Sequence, residues 1–144
     1  MKISVDLEEV KRMLRMLEEI TESSVKAVYL GNEQGPFLLD LTNPLVLGVV
    51  AGTGNMLPRE WTNAWKACLG GDRKEKDSYQ KAFEDLTYAA SNKFISAIKW
   101  GLWRLGILSS PAVKPGTPEL SEEEGRRFTE TFEAVKARLQ KCRH

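Results

Sequence analysis

Residues 43–55 read "NPLVLGVVAGTGN", and the element they form governs how the chain reads on either side. Asn43 followed by Pro44 is a good helix entry, a side-chain cap and then a ring that presets the first turn. Gly48 and Gly52 stand four apart, where small residues let another backbone approach closely, so a buried helix is expected. "AGTGN" at 51–55 has the look of a phosphate loop. It lacks the Lys-Ser/Thr ending and, on this reading, the preceding strand that a nucleotide site needs.

Downstream the helical signals continue. Pro58 opens a helix carrying Trp61, Trp65, Cys68 and Leu69, and Gly70-Gly71 stops it. "DRKEKDS" leads into the longest expected helix, about 73–106, with Tyr79, Phe83, Leu86, Ala90, Phe94, Ala97, Ile98, Gly101, Leu102 and Leu105 in one stripe and Gly106 at its end. "SSPAVKPGTPE" is an extended, turn-rich connection. Ser121 with Glu124 is a capping box opening a last helix over about 121–142. Its Phe128, Phe132, Val135, Leu139 and Cys142 alternate spacings of four and three, an a/d seam able to close its own bundle or to pair with a neighbouring subunit.

Upstream, Asp6 and Glu9 begin a helix over about 6–22, with Val10, Met13, Leu14, Leu17 and Ile20 at helical spacing; it could also extend as an arm. Residues 25–41 form either a short β-hairpin or a helix running on to Leu30 followed by a loop. The expectation is therefore a mainly α chain, one domain over 1–144, built as a bundle of about five helices.

Composition is that of a soluble globular protein, and its Lys, Glu and Arg content suits a thermophile. The N-terminus has charges where a signal peptide needs an apolar core, and no run approaches a membrane span, so neither secretion nor membrane insertion is expected. Cys68 and Cys142 lack metal-type spacing, which suits a reducing compartment. The single histidine is His144, at the terminus, so no histidine triad or metal cluster is expected; nor is a cofactor, a small-molecule substrate or a catalytic residue. Cys68, with no base near it in sequence, reads as a small buried hydrophobe.

Net charge is only +1, yet it is unevenly placed. From Leu86 to Pro118 there is no acid, against Lys93, Lys99, Arg104 and Lys114, and the last twenty residues add Arg126, Arg127 and Arg138 among other bases. Lys93, Lys99, Arg104, Arg126, Arg127 and Arg138 are the candidate phosphate contacts. Trp100 and Trp103, on the polar face of "NKFISAIKWGLWR" (92–104), are either core or surface aromatics. With Phe128, Phe132, Val135 and Leu139 they are the candidate subunit contacts.

"TNPLVLGVVAG" (42–52), "YAASNKFISAIKWGLWRLG" (88–106) and "GTPE" (116–119) resemble, in order, landmarks of the major coat proteins of rod-shaped and filamentous viruses of hyperthermophilic archaea. The resemblance covers roughly residues 42–120. It implies a helical-bundle subunit that self-assembles into a filament around double-stranded DNA held in an A-like form, located in the virion or the cytoplasm. The N-terminal arm of the rod-shaped members is basic and polar, whereas here the first helix is amphipathic and acidic. A small helical accessory subunit of an RNA-guided CRISPR-type effector complex and a non-enzymatic protein-binding regulator are the alternatives.

Overall fold

The computed structural model describes residues 1–20, 24–39 and 41–141. The order of elements is β1 (Lys2–Ile3), α1 (Leu7–Glu19), β2 (Val28–Leu30), a single helical turn α2 (Gly35–Leu38), β3 (Val46–Val49), α3 (Pro58–Gly70), α4 (Arg73–Ala90), α5 (Phe94–Arg104) and α6 (Glu122–Lys141). The chain is mainly helical, as expected, with a small sheet that is not a hairpin.

The sheet has three parallel strands in the order β1-β2-β3. Val28–Leu30 lies within the segment expected to hold a hairpin, but its partners are the N-terminus and residues 46–49, each reached by a crossover. The apolar run after Pro44 is accordingly a strand, not a buried helix. Asn43 turns the chain instead of capping a helix: its Oδ1 accepts from Leu45 N at 2.9 Å, and Val46 N donates to its carbonyl. A short apolar run carries no periodicity of its own, and a strand of a parallel sheet reads as continuously hydrophobic. Val28 pairs with Val46 and Tyr29 with Gly48, so Leu47 is an extra, bulged residue, and it is exposed. The Tyr29 ring lies against Gly48 where a side chain would crowd it.

α1 begins where Asp6 Oδ1 accepts from Glu9 N at 2.9 Å. Its Val10 and Leu14 bury with Ile3, Val28, Leu30, Leu39 and Val46 in a first core. The helix is thus packed on the sheet and is not an extended arm; Thr21 and Glu22, at the end of its expected span, lie outside the described residues.

The second core is the bundle. Trp61 of α3 stacks on Phe83 of α4 with ring centroids 4.2 Å apart, and Tyr79, Leu86, Phe128 and Phe132 close around them. Phe37 from α2 enters this core, while Trp65 of α3 packs on the sheet side. Glu33 ties the two parts together. Its carboxylate accepts from the backbone N–H groups of Gly52 and Thr53 and from the Thr53 hydroxyl, and Trp61 Nε1 donates to that hydroxyl at 2.7 Å. Burial pushes the Glu33 carboxyl up, against the hydrogen bonds that favour its charged form. "AGTGN" does follow a strand, contrary to expectation. Its Gly52 and Thr53 N–H groups are filled by the chain's own carboxylate.

The helix expected over 73–106 is two helices. Ser91 takes φ 50° and ψ −137°, its N–H bonds back to Thr87 and Tyr88, and a 3-10 turn over Ser91–Lys93 redirects the chain into α5. Stripe residues continue across the break because both helices face the same core. Gly106, with φ 73°, ends α5: its N–H donates to Trp103 O, and Ile107 N–H to Leu102 O, which satisfies the last carbonyls. The Ser121–Glu124 capping box forms in both directions.

The a/d seam of α6 closes this chain's own bundle. Phe128, Phe132, Val135 and Leu139 are 1–2% exposed. Burying each contributes about 1.5–3 kcal/mol, so the four together rival the net stability of a domain of this size, about 5–15 kcal/mol. They are not available to a neighbouring subunit. Cys142 and His144 lie outside the described residues.

Candidate nucleic-acid interface

Three expected phosphate contacts are engaged within the chain. Lys93 Nζ donates to both carboxylate oxygens of Glu124 at 2.8 Å, joining the 3-10 turn to the start of α6. Lys99 Nζ donates to Ala112 O at 2.8 Å, and buried Ser96 donates to Pro118 O, so the polar face of α5 holds the proline-rich connection in place. Arg138 donates to Asp85 Oδ2 at 2.8 Å, across α4 and α6. Sequence gave no sign of these pairings, because Lys93 and Glu124 stand 31 residues apart and Asp85 and Arg138 stand 53 apart.

The pairings show in the carboxylates. The Lys93 ammonium, assisted by Ser121, holds the Glu124 carboxyl down to about 2. At Asp85 burial works upward, but hydrogen bonds from Lys81 and Arg138 hold the group below its ordinary value.

Arg104, Arg126 and Arg127 are different. All three are exposed, and among the described residues none has an acid within ion-pair distance. Arg126 and Arg127 are neighbours on α6, so the 100° step of the helix sends them to different faces of it. Arg126 joins Trp100, Trp103 and Arg104 in a groove between α5 and α6, to which Glu122 and Glu130 also contribute. Arg127 joins Lys93, Arg138 and Tyr88 in a second groove between α4 and α6.

The two tryptophans form the wall of the first groove. Trp100 lies on Gly125, where any side chain would collide with the indole, and its Nε1 donates to Thr129 Oγ1 at 3.1 Å. Trp103 meets Trp100 edge to face at 5.2 Å, and the Arg104 guanidinium sits over the Trp103 ring at 5.8 Å. Both indoles are partly buried by their own chain, so they shape the groove and position Arg104 rather than standing free.

Cys68, half-buried on α3, packs against the helical core, and burial pushes its thiol above the ordinary value. Among the described residues no cluster of three His, Cys, Asp or Glu side chains could hold a metal ion. No helix among them is long and apolar enough to cross a membrane. No protein-family model matches the chain, and no curated protein is significantly similar to it.

Proposed function

We propose that the chain is a non-enzymatic structural subunit that binds double-stranded DNA through its phosphates, without reading bases, and that copies of it coat the duplex. One observation carries the reading: Arg104, Arg126 and Arg127 stand exposed around the start of α6 without an acid partner among the described residues, beside an aromatic wall that fixes one of them. Guanidinium groups without an internal acid partner can displace counterions from phosphates, and a cation over an indole is already oriented for the task. Lys93, Lys99 and Arg138, by contrast, support the scaffold that presents them.

Titrating the protein against random-sequence duplexes by fluorescence anisotropy tests this. The expected result is affinity indifferent to sequence that falls linearly with salt on logarithmic axes, and electron microscopy of the complex should show coated duplex. An inert monomer that ignores duplex DNA at low salt would contradict the proposal.

A further inference from the structure

The groove between α4 and α6 carries a feature that a duplex-binding surface does not require. Tyr88 is 89% exposed, the barest large hydrophobic side chain among the described residues, and its hydroxyl bonds none of them. It sits at the lip of the groove with Ser91, Lys93, Arg127 and Arg138. Lys93 and Arg138 are held and neutralised by Glu124 and Asp85, which line the same groove, so its unpaired positive charge among the described residues is that of Arg127. Ser91, in the left-handed region at φ 50°, holds the end of α4 in a conformation that a non-glycine residue adopts only at a cost.

We infer that this groove binds an unpaired nucleotide, its base stacked on the Tyr88 ring and its phosphate on Arg127. An open phenol ring gives sequence-tolerant stacking to any base whose face is free, and a duplex hides those faces. The small side chains Ala89, Ala90 and Ala134 line the same groove as the tyrosine. A docked protein helix would instead need apolar anchors at the rim, which here carries charges. The inference rests on the nucleic-acid reading above and adds to it a single-strand site on a different face of α6, suited to ends, bubbles or displaced strands.

The test compares wild type, Tyr88→Ala and Tyr88→Phe on labelled oligothymidylate, on oligouridylate of equal length and on a duplex. Because the ring touches so little, both variants should keep the wild-type circular dichroism and melting temperature. Tyr88→Ala is expected to weaken binding to at least one single strand by about ten-fold or more, while Tyr88→Phe retains it and duplex binding is unchanged in both. Dependence confined to one oligomer would identify which of the two strands is preferred. Equal single-strand affinity for Tyr88→Ala and wild type would overturn the inference and leave the duplex reading standing. So would an equal loss on single strand and duplex. Wild-type protein that binds neither polymer would overturn both.

Discussion

A methyl group at position 125 would overlap the Trp100 indole, whereas at position 70 it would meet nothing within 4 Å. Both glycines are helical, so alanine should gain helix propensity at each, up to about 1 kcal/mol. At 125 the rigid ring cannot yield cheaply, and overpacking of this kind costs about 1–3 kcal/mol. Gly125→Ala should therefore lower stability in urea unfolding and shift tryptophan emission, while Gly70→Ala leaves stability unchanged or raises it. Glu124 makes a different residue-scale prediction. Its folded-state carboxyl is depressed from 4.5 to about 2, so the stability it adds is full above 4.5 and disappears as pH falls from there toward 2. Lys93→Met should make the acid limb of a stability-versus-pH curve shallower across that window. Parallel wild-type and variant curves would show that the ion pair contributes nothing.

The break between α4 and α5 belongs to the scale of elements. Ser91 at φ 50° and ψ −137° occupies a region that glycine enters freely, so Ser91→Gly should stabilise the protein by about 1 kcal/mol with the bend retained. If the variant loses stability, the serine makes an interaction beyond the backbone strain. This break also shows what the sequence could convey. The stripe from Tyr79 to Leu105 marks the buried faces of both helices, and Tyr88 lies off the stripe, which is the sequence sign of its exposure. The stripe could not register the bend, because the same face stays buried on either side. Caps and stops at Asp6, Gly71, Gly106 and Ser121 were legible because their chemistry is local. The sheet was not: β1 has two residues, β2 three, and their pairing is set by tertiary context that no short window contains. Among the site residues, charge placement found Arg104, Arg126 and Arg127 but equally Lys93, Lys99 and Arg138, whose partners lie far along the chain or on a backbone carbonyl.

At the scale of the molecule, a net charge of +1 gives little attraction to any polyanion, so binding must come from where charges stand, not from their sum. Internal ion pairs remove Lys93 and Arg138 from the surface field together with Glu124 and Asp85, and among the described residues Arg104, Arg126 and Arg127 remain as arginines without an acid partner around α6. The most direct measurement is the salt dependence of duplex affinity for wild type and for the Arg104→Glu, Arg126→Glu, Arg127→Glu triple variant, whose exposed positions leave the fold intact. Each phosphate contact contributes about 0.9 to the logarithmic slope, so the triple variant should bind more weakly, with a slope shallower by roughly two to three. A triple variant with wild-type affinity and slope would contradict the account.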